Sequence, residues 1–291
     1  MQSAGDGLPD AGPGTATDRR VRRRLLHRAA RLFPAVVARR LARRYLQASP
    51  RAPLDPSDTR GGMRLIALGE DTSVLRHPAR EGTTAPRRIL LVHGHDGNIR
   101  QFVRLIRALQ NAGAEVDGLI LPGHSGGART VCSMATMVRA IQRTVGALGP
   151  YDGIIGHCVS ANALLFALDE GLRAGRVVFV SCPIELRTLI RLGGRQYGIG
   201  GACLESFVQR VSALGAPYLA ETPWRPLAQR RHEPMLAVHS RHDYAAPVED
   251  MQSLQATWPG ARMVVVENGG HNTIVNRAPA IKSITAFLTE G

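Results

Sequence analysis

Aromatic side chains are scarce in this chain, at 4% of its 291 residues. That scarcity leaves too few stacking platforms for a reader of single-stranded nucleic acid. Four cysteines, Cys132, Cys158, Cys182 and Cys203, show no paired spacing and no Cys-x-x-Cys unit. A disulfide framework or structural zinc site is thereby excluded, and a reducing, cytoplasmic compartment is the expectation. No run of about 20 apolar residues is present, so no bilayer-spanning helix is predicted. Nor does an apolar secretory core follow Met1. Lysine is nearly missing, Lys282 being the only one. Acidic residues are absent between Arg19 and Arg51, a stretch that holds 12 arginines. The remaining 25 basic residues face 23 acidic ones, so the net charge of +14 resides almost wholly in that segment.

Hydrophobic content of 44% with 21% charged residues suits a soluble, core-forming chain long enough for one large α/β domain. Residues 1–18 are rich in Gly, Ala, Pro, Ser and Thr and read as a disordered N-terminus. Residues 19–62 read as an Arg-rich amphipathic arm and a Pro/Gly linker. Leu25, Leu26, Ala29, Leu32, Phe33, Val36, Val37, Leu41 and Tyr45 recur at helical spacing. Pro34 either kinks that helix or opens a second one. From residue 63 to 291, strand and helix patterns alternate as in a mostly parallel sheet. The central strands are expected at Arg88–His93, Val116–Leu121, Tyr151–Gly156, Val177–Ser181, Met235–His239 and Met263–Val266. Met63–Leu68 and Thr72–Arg76 suit an antiparallel edge, and helices are expected to start near Asn98, Val131, Val159, Val248 and Thr273. Between residues 183 and 231 the alternation lapses, which predicts an insertion with short helices, Leu186, Phe207 or Trp224 facing a cleft.

Chemistry concentrates at strand ends. Gly156-His157-Cys158-Val159-Ser160 follows a short apolar strand and opens a helix, the strand–sharp turn–helix context of a nucleophile elbow. Asp243 follows the strand ending at His239, and His271 follows the one ending at Val266. In open α/β sheets functional groups gather at this C-terminal edge. A thiolate at Cys158, a base at His271 and an orienting carboxylate at Asp243 would form a nucleophilic set. The turn His93-Gly94-His95-Asp96-Gly97, after the strand at Arg88, suits a second oxyanion donor. The expected donors are the backbone N–H groups of His95 and Val159.

With the order Cys158…Asp243…His271, the His-Gly turn and the Pro122-Gly123-His124 loop, the chain resembles the α/β-hydrolase superfamily from about Met63 onward. Within it, the chain looks like single-domain bacterial members with a cysteine in the elbow, as in dienelactone hydrolases. The resemblance implies an α/β-hydrolase fold with a lid at residues 183–231 and cleavage of an acyl ester, thioester or lactone through an acyl-enzyme. Acyl transfer by the same residues is the first alternative, and a catalytically inactive binding protein the second. The expected ligand is a small acyl substrate, with no cofactor, no metal and no nucleic acid.

Competing readings can be weighed in the sequence itself. Gly123-His124-Ser125-Gly126-Gly127 fits a serine elbow string, yet Gly126, Gly127 and Ala128 prolong a loop where a helix should begin. Glu249 and Asp250 are fallback acids, but they fall inside the following helix. His93, His95 and Asp96 with His239, His242 and Asp243 belong to two separate strand ends, unlike a zinc site with three convergent ligands. The arm has three readings: docking of its apolar stripe on the domain, peripheral contact with anionic membrane, or nucleic-acid binding, for which no reader motif is present.

Overall fold

The computed structural model describes residues 16–48, Thr59, 61–126 and 130–290. The Gly- and Pro-rich start therefore lies outside the described residues up to residue 15. Ala16 to Asp18, expected to be disordered, already belong to the first helix, α1 (Ala16–Leu32). Phe33, with φ −133° and ψ 58°, breaks the helix, and Pro34 opens α2 (Pro34–Leu46). Of Pro34's two readings, the second helix is the one realised. Most of the expected linker, residues 49–58 and residue 60, also falls outside the described residues.

Eight strands form one sheet: β1 (Arg64–Gly69), β2 (Thr72–His77), β3 (Arg87–Val92), β4 (Ala114–Ile120), β5 (Gly153–His157), β6 (Arg176–Val180), β7 (Met235–Ser240) and β8 (Arg262–Val266). Their spatial order is β1-β2-β4-β3-β5-β6-β7-β8. β2 pairs antiparallel with both β1 and β4, and every later pairing is parallel. Side chains alternate between the faces, as the pleat requires. Leu90 and Val92 join one core, with residues of α4 (Met134–Leu148), α5 (Val159–Asp169) and α9 (Val248–Thr257). Ile89 and Leu91 join the other, with α3 (Val103–Asn111) and α10 (Ala278–Thr289). Burial on both faces explains why the central strands read as continuous apolar runs.

The helix expected from Val131 starts at Met134 instead. Ser133 accepts a hydrogen bond from the Thr136 N–H and Thr136 reaches back to the Ser133 N–H, a capping box that fixes the boundary. Val131 bridges to Gln47, and the Cys132 N–H donates to Leu46 O at 2.8 Å, so the end of the arm is stitched to this loop.

The stretch between β6 and β7 contains α6 (Leu186–Gln196), α7 (Gly201–Leu214) and α8 (Trp224–Gln229). It does not behave as one unit. Ile190 of α6 and Leu204, Phe207, Val208 and Val211 of α7 build a separate core with Ala38, Leu41, Ala42 and Leu46 of α2. Leu186 and Trp224 are instead part of the main core, where the Trp224 indole donates to Glu185 Oε1 at 2.7 Å. The arm's apolar stripe is divided too. Leu41 and Leu46 dock and Leu26, Ala30 and Val37 pack partly against the same core, while Leu25, Leu32, Phe33 and Val36 remain exposed on the side turned away from it.

At the β2–β4 junction, Asp117 is almost wholly buried. It accepts from Arg76 Nε and Nη2 at 2.8 and 2.7 Å and from the Tyr151 hydroxyl at 2.6 Å. Removing Asp117 leaves the largely buried Arg76 with only the longer contact to Glu115 at 3.4 Å. Asp117→Ala should therefore lower the unfolding free energy by roughly 3–5 kcal/mol in urea titration. A loss under about 1 kcal/mol would mean that water replaces the carboxylate freely.

Candidate active site

β5 is buried along its whole length and runs directly into Cys158. There φ is 55° and ψ −135°, and α5 begins at the next residue. A non-glycine residue in that region stores about 1–3 kcal/mol of strain and persists only when its surroundings impose it. The Cys158 N–H donates to Val180 O at 2.9 Å, and its carbonyl accepts from the Ala161 N–H at 3.0 Å. Gly156 allows the turn to close, since a Cβ there would come within 2.8 Å of Ala161 Cα. Ser160 stands where elbow strings commonly carry a second glycine. Its hydroxyl donates to His93 O at 2.5 Å, tying the elbow to the end of β3. α5 is buried from Ser160 to Leu168, so its positive N-terminal end meets Cys158 in a poorly screened interior.

The loop after β7 supplies Asp243 and the loop after β8 supplies His271. Nδ1 of His271 lies 2.9 Å from both carboxylate oxygens of Asp243, whose side chain is out of solvent. Asp243 Oδ1 also accepts from the Ala245 and Ala246 N–H groups at 2.9 and 3.1 Å. Burial alone would raise this carboxyl's pKa. The His271 hydrogen bond and charge, with the Ala245 N–H, outweigh burial and hold it below its usual value. The His271 ring is also in hydrogen-bonding contact with Cys158. Nδ1 is committed to Asp243, which leaves Nε2 for any other partner of the ring. Burial pushes the imidazole's pKa down, but the Cys158 charge and the hydrogen bonds to Asp243 and Cys158 carry it up to about 10. That balance favours the imidazolium form of His271.

Neighbouring histidines act as braces. His157 Nε2 lies 3.0 Å from His271 O, and its ring sits between those of Phe102 and His271. Burial, then the His271 charge, lower the His157 pKa to about 4, so it bonds that carbonyl as a neutral ring. His239 Nε2 holds Ala246 O at 3.0 Å, fixing the Asp243 loop. Exposed Arg241 and Glu267, paired at 2.6 and 2.8 Å, clip the two loops together.

The turn after β3 presses on the elbow. A Cβ at Gly94 would come within 2.8 Å of Cys158 Cβ, so only glycine permits the approach. Within the turn, the Gly97 N–H donates to Gly94 O at 3.0 Å. The Asp96 N–H donates to His124 Nε2 at 3.2 Å, and His124 Nδ1 holds Pro122 O at 3.0 Å. The Pro122-Gly123-His124 loop thus supports this turn. Neither the His95 nor the Val159 N–H takes a backbone acceptor among the described residues. Ser125 donates to Asp71 at 2.9 Å, and the same carboxylate accepts from the Gly123 N–H and the Thr130 hydroxyl. That serine is a loop brace, with no hydrogen bond to a histidine side chain among the described residues. Among the described residues, no three His, Cys, Asp or Glu side chains are grouped to hold a metal ion.

Solved structures share this arrangement of sheet and helices. The bromoperoxidase from Bacillus anthracis superposes with a TM-score of 0.58 at 13% identity, over 79% of this chain and 100% of that one. Est1E from Butyrivibrio proteoclasticus gives 0.59 at 15%, over 79% and 97%. Together with the strand order and the elbow after β5, these superpositions decide the architecture. The chain has the α/β-hydrolase fold. The Pyrococcus furiosus esterase Pf2001 is similar to it as well, with a TM-score of 0.59 at 17% identity over 84% and 95%. The family model for TAP-like proteins matches residues 213–291, a segment of the α/β-hydrolase fold that carries Asp243 and His271 but not Cys158. No curated protein matches the sequence.

One residue of the site escaped the sequence reading. Tyr45, near the end of α2, stacks on His95 with ring centroids 6.1 Å apart and meets the edge of Phe207 at 5.5 Å. Its ring lies so close over α6 that a Cβ at Gly193 would come within 2.4 Å of Cε2. Burial, then the charges of Cys158, Tyr197 and Asp96, raise its pKa, so it stays a neutral phenol beside the thiol. Period alone placed Tyr45 on a docking face of the arm. Nothing in the sequence marked the hydrolase-fold elbow as its neighbour.

Proposed function

We propose that the protein hydrolyses an acyl ester, thioester or lactone through Cys158. The observation that carries this reading is the strained elbow cysteine in contact with a histidine whose other nitrogen is held by a buried carboxylate. The Cys158 thiolate attacks the carbonyl carbon, and the carbonyl π electrons move to oxygen. The backbone N–H groups of His95 and Val159 receive the oxyanion. Collapse expels the alkoxide or thiolate, protonated by the His271 imidazolium, and leaves an acyl-thioester. Neutral His271 then takes a proton from water, hydroxide adds to the thioester, and the Cys158 thiolate departs. Asp243 keeps the His271 tautomer and stabilises its charged form. The name of one structural neighbour, the Pyrococcus furiosus esterase Pf2001, agrees with this class.

Acid quenching during turnover of p-nitrophenyl butyrate tests the reading. One acyl group should appear by mass on the peptide carrying Cys158; turnover with no adduct there, or an adduct elsewhere, would reject it. We further propose that Tyr45, which stacks on His95, donates a hydrogen bond to the bound substrate. Tyr45→Phe should lower kcat/KM for that ester about 3- to 10-fold, the scale of one neutral hydrogen bond, with an unchanged melting temperature. Unaltered kinetics would reduce Tyr45 to packing.

A further inference from the structure

Nine large hydrophobic side chains are exposed among the described residues, and four of them, Leu25, Leu32, Phe33 and Val36, lie within twelve positions of the arm. Scattered exposed hydrophobics are ordinary, whereas a cluster marks a contact surface. Leu25 and Leu32 are seven apart and share one side of α1. Phe33 and Val36 continue the cluster across the break. The surrounding residues are exposed arginines: Arg28 and Arg31 on α1, and Arg39, Arg40 and Arg43 on α2. The opposite side of α2, with Ala38, Leu41 and Ala42, is committed to the core shared with α7. The free side is therefore not a docking face left open for the domain itself.

We propose that this face of the arm binds an anionic lipid surface, Leu32, Phe33 and Val36 entering the acyl boundary and the arginines meeting headgroup phosphates. Charge selects the occupant. With 12 arginines and no acidic residue from Arg19 to Arg51, a second copy would bring two cationic faces together. A nucleic acid would satisfy the arginines but leave the leucines and phenylalanine against a polar backbone. An anionic bilayer satisfies both at once, through apolar insertion and polybasic attraction. Among the described residues no helix is long and apolar enough to cross a membrane, so the contact is peripheral.

Co-sedimentation of the full chain with vesicles tests the proposal. Vesicles of phosphatidylcholine containing phosphatidylglycerol should bind it at least about tenfold more tightly than phosphatidylcholine alone. Binding should weaken as salt rises, because the attraction is screened over about 8 Å at physiological ionic strength. A variant with Leu32→Gln, Phe33→Gln and Val36→Gln, and another with Arg39→Gln, Arg40→Gln and Arg43→Gln, should each lose at least about tenfold in affinity. Both sets lie at exposed positions, and an unchanged melting temperature confirms that the fold persists. Failure to bind the mixed vesicles overturns the proposal, as does full binding by the apolar triple variant. Duplex DNA binding without vesicle binding would assign the face to nucleic acid. Sedimentation velocity showing a dimer that the apolar variant dissolves would assign it to a second copy.

Discussion

Cys158→Ala is expected to reduce p-nitrophenyl ester turnover by about four orders of magnitude or more, the scale seen when an enzyme loses its nucleophile. Ser125→Ala should keep most of the activity. The contrast is informative because the two candidates sit in similar strings with opposite surroundings. Cys158 occupies a strained turn at the head of a buried helix, in contact with His271. Ser125 donates to Asp71 and supports a loop. Initial rates with both variants, measured beside their melting temperatures, are sufficient. Full turnover by Cys158→Ala, or its loss in folded Ser125→Ala, would transfer the chemistry to the serine.

His271→Ala should cost about 10⁴-fold in kcat, and Asp243→Asn a comparable amount by disturbing the tautomer. The pH profile adds a sharper expectation. His271's pKa is raised from its ordinary 6.5 to about 10, so the imidazolium survives through neutral pH and is lost only as pH climbs through that higher value. Protonation of the leaving group depends on that form. The alkaline fall in kcat/KM should accordingly lie near pH 10 rather than between 6 and 7. Iodoacetamide reports the other partner. Without His271 the thiol loses its counter-ion, and alkylation of Cys158 at pH 7 should slow by about tenfold or more. An alkaline limb near 6.5, with alkylation indifferent to His271, would mean that thiol and imidazole are both neutral.

The parts of the molecule most legible in the sequence are those governed by local rules. Buried parallel strands appear as apolar runs, and the C-terminal edge of the sheet collects whatever follows them. Cys158, Asp243 and His271 could therefore be placed near one another without coordinates. Helix periodicity identified an apolar stripe on the arm but not its division, because the stripe is wider than the face that the α7 core covers: Leu26 and Val37 pack partly against it while their neighbours Leu25 and Val36 are exposed. The same limit applies to Trp224, whose burial depends on Glu185 and α5. Ser160 looked like a departure from a glycine-rich elbow. Its hydrogen bond to His93 O joins the turn at Cys158 to the turn after β3, a contact between residues 67 positions apart that no local pattern contains.

The core shared by α2 and α7 has a consequence for how the chain is made. Synthesis makes the arm before the sheet, yet Leu41 and Leu46 must wait for Leu204 and Phe207 before they can be buried. In the interval most of the sheet emerges, while the arm remains an amphipathic, arginine-rich segment with both faces open. Contacts so distant in sequence carry a large closure cost and form late. A segment made before the sheet is thus among the last to find its place, and completion of α7 is the event that ends its freedom.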